Sequence, residues 1–287
     1  MEKTIPLSPI KAYLLLVKPG IMMGNAITMA GGFALASRSY FDGWLFFATL
    51  IGLISIIGSS CIVNNVIDER ADQQMERTKK RALAFASLPR SQIFLAALLL
   101  GAVGVLSLSL FANFLTLCIA LFGYFIYVGL YSFSKYHSAQ GTLIGSLAGA
   151  VSPVIGYCAV SHDLDLGAWI LFAMLVLWQM PHFYAIAIYR SQDYASASIP
   201  VFPAQKGIKK TKIHMLLYTI AFAIVSLLLF VFGYTGYGYL AVAVSLGMIW
   251  IGLSLKGFRS VNDDQWAKKM FRFSLIVVMA LSMAMMI

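Results

Sequence analysis

The sequence predicts an all-α, polytopic membrane protein built as a bundle of nine transmembrane helices. Three observations point there. The AVILMFWYC set makes up 60% of the 287 residues and charged residues only 11%, against about 45–50% and 25% in soluble domains. The apolar residues fall into nine runs close to the roughly 20 residues a spanning helix needs. The charges gather in the gaps between those runs, which leaves nothing that could form a soluble domain.

The runs are 20–37, 44–67, 91–112, 114–133, 142–160, 167–189, 213–233, 237–255 and 269–287. The first contains Asn25 and Thr28 and follows a long segment with Pro6 and Pro9. Those features favour a first membrane helix over a cleaved leader, although Lys3, Lys11 and Lys18 precede it. Asn113 alone separates the third run from the fourth, and the seventh and eighth turn around Gly233–Gly236. Residues 1–287 thus read as one membrane domain. Cys61, Cys118 and Cys158 lie inside apolar runs without zinc or redox spacing and carry no chemistry.

The formal net charge is +10. A nucleic-acid surface would need those charges on one face of a soluble fold; lying in short gaps, they suit anionic membrane lipid and anionic substrates. With the N-terminal segment and alternate gaps taken together, every Lys and Arg except Arg38 falls on one side of the membrane. The positive-inside rule makes that side cytoplasmic, with the N-terminus on it. Nine spans put the C-terminus on the far side. Two cytoplasmic gaps, 68–90 and 190–212, exceed twenty residues, a length usually tied to function in a compact bundle. They follow the second and sixth runs.

The first long gap opens on the sharpest feature of the chain. Asn64, Asp68, Asp72 and Glu76 recur every four residues, which on a helix makes one slowly drifting stripe. Like charges at that spacing repel, so carboxylates at a membrane boundary call for a counter-cation. Mg²⁺ prefers oxygen and is commonly held by one or two carboxylates together with substrate phosphates. Arg70, Arg77, Lys79, Lys80 and Arg81 suit the remaining phosphate charge. The plainer alternative is a solvated loop in which acids and bases pair. Asparagines leading in from the membrane, and apolar runs nearly free of acids elsewhere, favour a diphosphate–metal site. The second long gap gives a partial echo: Asp193, one turn beyond Tyr189, with Arg190 before it and Lys206, Lys209 and Lys210 after.

At these residues the chain resembles the UbiA superfamily of intramembrane prenyltransferases, which have nine helices, an N-x-x-x-D-x-x-x-D motif after helix two and a second acidic motif after helix six. The resemblance covers essentially the whole chain. Further stretches are similar to the branch of that family that farnesylates haem: Lys18-Pro19-Gly20 with Asn25; Met75-Glu76-Arg77-Thr78 with Arg81; His137-Ser138 with Gly141-Thr142; Pro153-Val154-Ile155-Gly156-Tyr157; Trp178-Gln179-Met180-Pro181-His182; and Asp193-Tyr194 with Ile199-Pro200. Tyr189 stands where many relatives carry the first acid of the second motif. That departure argues against a symmetric two-metal site and agrees with the haem branch.

The resemblance implies a farnesyl transfer from farnesyl diphosphate to the 2-vinyl group of haem b. It implies Mg²⁺ on Asp68 and Asp72 with Asn64 beside it, and Asp193 as an accessory acid. Lys18, Asn25, Arg77, Lys80, Arg81, Arg190 and Lys206 are implied to receive diphosphate. His182 lies inside the sixth run, two turns short of its cytoplasmic end, and Pro181 before it invites a kink. An ionisable group at that depth is a functional candidate: it can ligate haem iron, bond a propionate, or serve packing. His137 is the second haem candidate. Asn25 can either support the diphosphate site or join helices. The product would serve a haem-copper oxidase, a possible partner during assembly. A related enzyme with a phenolic or chlorin acceptor would keep the same acidic stripe. A secondary transporter would place charges or broken helices deep in both halves, whereas the acids here crowd one surface.

Overall fold

The computed structural model describes residues 8–38 and 40–286. Nine long helices form the bundle: α1 Pro19–Ala36, α2 Gly43–Gln74, α3 Arg90–Phe111, α4 Phe114–His137, α5 Gly141–Ser161, α6 Leu166–Tyr189, α7 Ile208–Val231, α8 Tyr237–Lys256 and α9 Asp263–Ala284. No strand occurs among the described residues. Each helix overlies one of the nine apolar runs. The number of spans is smaller by length and apolarity. Helices α2 to α8 qualify alone, and α1 qualifies only with the short helix Pro9–Leu16, from which it is bent by 52°. Helix α9 starts before its apolar run and carries Asp263, Asp264, Lys268, Lys269 and Arg272, so it does not pass. The expectation of nine spans thus becomes nine helices with seven or eight clear crossings.

Capping explains why so little sequence separates some neighbours. The side chain of Asn113 accepts the Thr116 N–H at 2.8 Å and starts α4. Its amide also donates to the Cys158 carbonyl at 2.8 Å, tying the α3–α4 turn to α5. One residue suffices there because its side chain opens one helix and holds another. Asp42, Asp165 and Asn262 cap α2, α6 and α9 in the same way.

Burial sorts the bundle into an inner and an outer set. In α2, α5 and α6, 61%, 61% and 67% of the most apolar stretch is buried; in α3, α4, α7 and α8 the share is 22–28%. The outer helices present Leu98, Leu110, Phe125, Phe133, Leu217, Val231 and Met248, apolar surface that only lipid can cover. Two cores share α5. One joins Met29, Phe33, Leu53 and Ile155 on the α1–α4 side; the other joins Ala150, Met174, Phe222 and Trp250 on the α6–α9 side.

The seam between α1 and α5 is the tightest contact. A Cβ on Gly32 would fall 2.0 Å from the Pro153 carbonyl oxygen, and one on Gly156 would fall 2.1 Å from that of Met29. Small residues let membrane helices touch at the backbone, where van der Waals packing replaces the missing hydrophobic drive. Asn25 reinforces this seam: Ser152 Oγ donates to its Oδ1 at 2.5 Å, and its amide donates to the Ile21 carbonyl at 2.8 Å.

Candidate active site

The site forms where α2 leaves the bundle. The helix carries Asn64 near the end of its apolar run, continues past that run through Asp68 and Asp72, all three buried, and ends at Gln74. Thr78 explains the stop. Its hydroxyl donates to the Asp72 carbonyl at 2.9 Å, the oxygen that the Glu76 N–H would take if the helix continued. Glu76 therefore leaves the four-residue stripe. It is exposed and pairs with Lys79, which corrects the expectation of four aligned members. The rest of the first long gap folds into a short helix, Lys79–Ala86.

Each buried motif member meets a cation from a different part of the chain. Lys18 Nζ donates to Asn64 Oδ1 at 2.6 Å. Lys135 pairs with Asp68, both side chains nearly covered, and Tyr136 donates to the same oxygen at 2.8 Å. Arg81 approaches Asp72 at 3.4 Å. An unpaired ion costs several kcal/mol to bury; here Lys135 and Arg81 offset that cost for Asp68 and Asp72, while Lys18 rests on the neutral oxygens of Asn64 and Tyr127.

Two irregularities of backbone aim these groups. Lys18 sits at the 52° break before α1 in the left-handed region, φ 55°, a conformation uncommon for a side-chain-bearing residue. Pro19 next to it prevents a continuous helix, and Asn65 holds the other flank by donating to the Leu16 carbonyl at 2.7 Å. In α4, residues Ile126–Tyr131 form a π-helical segment, which re-registers everything after it. Tyr127 there donates to Asn64 Oδ1 at 3.1 Å, and the Asn64 amide donates to Ser132 Oγ at 3.0 Å. Tyr127 and Tyr131 stack with centroids 5.4 Å apart. Their faces, with that of Tyr136, hold Lys18 and Lys135 at 5.0–5.8 Å, within the range of cation–π attraction.

Lys135, Tyr127, Ser132 and Tyr136 were not among the expected site residues. The charge pattern held one clue: Lys135 is the only basic residue in its cytoplasmic gap. Of the expected diphosphate residues, Lys18 and Arg81 lie on the motif. Arg77, Lys80, Arg190 and Lys206 are exposed on the same side, and Asn25 bonds Ser152 in the α1–α5 seam. Asp193 sits in the short helix Ser191–Ser196 with Arg190 at 3.7 Å. Ser196 Oγ donates to the Gln74 carbonyl at 3.0 Å, which ties this second gap to the end of α2. Burial pushes the Tyr194 hydroxyl above the usual tyrosine range.

The two histidines differ. His137 is exposed, its ring stacked on Phe133 with Nδ1 2.8 Å from the Phe133 carbonyl. His182 is buried, stacked on Trp178 at 4.7 Å and packed on Phe271, with Nδ1 2.7 Å from Ser274 Oγ. Helix α6 continues through Pro181 as one helix, Leu166–Tyr189.

Among the described residues no three acidic, His or Cys side chains converge as a metal cage. The donor set still fits Mg²⁺ bound together with phosphates, because Asp68, Asp72 and Asn64 offer oxygens from one face and Mg²⁺ needs few protein ligands.

The fold and this charged mouth define a multi-pass membrane protein with a buried polar cluster at one end of its bundle. The chain belongs to the UbiA prenyltransferase family, whose model matches residues 25–276. It is 51% identical over 274 residues to a protoheme IX farnesyltransferase of Protochlamydia amoebophila, covering 96% of this chain and 97% of that one. Its fold is similar to that of a digeranylgeranylglyceryl phosphate synthase (TM-score 0.80, 18% identity, 98% of each chain). It is also similar to a UbiA homologue from Archaeoglobus fulgidus bound to GPP and Mg²⁺ (TM-score 0.65, 12% identity, 96% and 99% covered).

Proposed function

We propose that this protein transfers the farnesyl group of farnesyl diphosphate to the 2-vinyl group of haem b, giving haem O. The similarity to a protoheme IX farnesyltransferase over nearly the full length of both chains supports the acceptor. The observation that carries the chemistry is the set of three cations, Lys18, Lys135 and Arg81, held on Asn64, Asp68 and Asp72. Each occupies an oxygen that a divalent ion would take, and each, once displaced, is a donor for phosphate oxygen.

Asp68 and Asp72, with Asn64, would hold Mg²⁺. Bound there, the ion supplies charge neutralisation for the departing diphosphate. Lys18, Lys135 and Arg81 then turn from the motif to the diphosphate, and Arg77, Lys80, Arg190 and Lys206 form an exposed rim that gathers it. The C1–O bond of the substrate breaks with its electron pair on the diphosphate. The faces of Tyr127, Tyr131 and Tyr136, which hold ammonium groups in this structure, stabilise the allylic cation. The vinyl π electrons form the new carbon–carbon bond. Water then adds to the vinyl carbon next to the macrocycle and loses a proton, leaving the hydroxyethylfarnesyl group. Asp193 assists from the second gap. His182 is the haem contact inside the bundle, and His137, at the exposed end of α4, is a secondary contact at its edge. The protein resides in a bacterial cytoplasmic membrane, and its product would be consumed in the assembly of haem-copper oxidases.

The test is to incubate membranes carrying the protein with haem b, farnesyl diphosphate and Mg²⁺ and to separate the products by chromatography with mass detection. Haem O is expected. Turnover only with a phenolic or chlorin acceptor would overturn the haem assignment.

A further inference from the structure

Where α6 meets α9, one serine serves two aromatic side chains. The Ser274 carbonyl accepts the Trp178 Nε1–H at 2.8 Å. Ser274 Oγ lies 2.7 Å from His182 Nδ1 and also donates to the Phe271 carbonyl at 2.7 Å. A hydroxyl has one hydrogen and two lone pairs. With that hydrogen directed to Phe271, Oγ can meet His182 only as an acceptor, so Nδ1 is the ring nitrogen that carries hydrogen. The Nε2 lone pair is then uncommitted, and none of the described residues offers it a hydrogen bond. The ring cannot readily turn, since Trp178 stacks on it at 4.7 Å and Phe271 packs at 4.9 Å.

We propose that Ser274 is a positioning residue for haem: through Nδ1 it fixes the tautomer and plane of His182 and so presents the Nε2 lone pair to the iron of the haem substrate. This rests on the reading of His182 as the haem contact. Metal-binding histidines almost always donate their second ring N–H to an oxygen, which orients the ring and raises its basicity; losing that partner typically costs 10–100-fold in affinity. Helix α9 gains a purpose from this. It is the helix least suited to cross the membrane by composition, and its serine supplies the acceptor that the apolar face of α6 lacks.

The experiment is a titration of ferric haem b into the purified full chain, read by Soret absorbance and electron paramagnetic resonance. The wild-type protein should show an imidazole-ligated signal that His182→Ala abolishes. Ser274→Ala should weaken haem affinity about 10–100-fold and alter the signal, and Ser274→Thr, which keeps the hydroxyl, should restore both. Wild-type affinity and spectrum in Ser274→Ala, while His182→Ala loses them, overturns the role of Ser274 alone. An unchanged spectrum in His182→Ala overturns the reading of His182 beneath it. If Ser274→Ala is not recovered from membranes, Ser274→Cys, a weaker acceptor of similar size, takes its place. An intermediate loss supports the proposal and wild-type binding overturns it.

Discussion

The segments that follow α2 and α6 occupy matching places in the two halves of the bundle, yet they are built differently. At the end of α2 all three motif members are buried; Asn64 and Asp68 meet cations from far away in the chain, Lys18 across 46 residues and Lys135 across 67, while Asp72 meets Arg81 nine residues on. After α6, Asp193 meets Arg190, three residues back on the same turn, at 3.7 Å. A pair with both members covered is expensive to disturb, whereas a near-neighbour pair whose cation is exposed, as Arg190 is, contributes little. The difference teaches that matching position does not mean matching duty. The first segment is a socket in which two carboxylates and an amide meet three cations; the second is a flap tied to it through Ser196 and Gln74.

Four measurements would sharpen or break that contrast. The largest effect is expected for Asp68→Ala and Asp72→Ala, which should lower kcat for haem O formation by at least about 10²–10³-fold while the protein still inserts. Chelation of Mg²⁺ should reproduce the loss, and added Mg²⁺ should reverse it in wild-type protein only. Next comes Lys135→Met. It leaves Asp68 buried without its cation, so thermal unfolding in detergent should show a destabilisation of about 3–5 kcal/mol. Adding Asp68→Asn to that variant should recover stability without recovering turnover. Asp193→Ala should be milder, raising the KM for farnesyl diphosphate about tenfold, roughly 1.4 kcal/mol. A loss equal to that of Asp68→Ala would erase the distinction between the two segments. Glu76→Gln should change stability by less than about 0.5 kcal/mol and leave turnover unaltered, since Glu76 stands outside the socket.

Much of this organisation is legible in the sequence because hydrocarbon imposes a length on every span. The nine apolar runs coincide with the nine helices, and the stripe from Asn64 to Asp72 follows from helical spacing alone. What is missed has a common physical origin. The π-helical segment in α4 leaves no mark in composition, yet it brings Tyr127, Ser132, Lys135 and Tyr136 round to face α2. Glu76 continues the spacing of the stripe, but a side-chain hydroxyl two residues later ends the helix before it. Helix α9 reads as a final span by its apolar tail, while its first turns carry five charged residues. In each case a local backbone event or a distant partner decides what periodicity cannot.

The backbone contact between α1 and α5 reaches beyond packing. Two helices that touch at Gly32 and Gly156 cannot slide past each other or admit a ligand between them, so the pair acts as a fixed spine. A farnesyl chain and a flat macrocycle both arrive dissolved in the bilayer and must enter sideways. The doorways left to them lie among the outer helices α4, α7 and α8, whose exposed apolar side chains face the lipid.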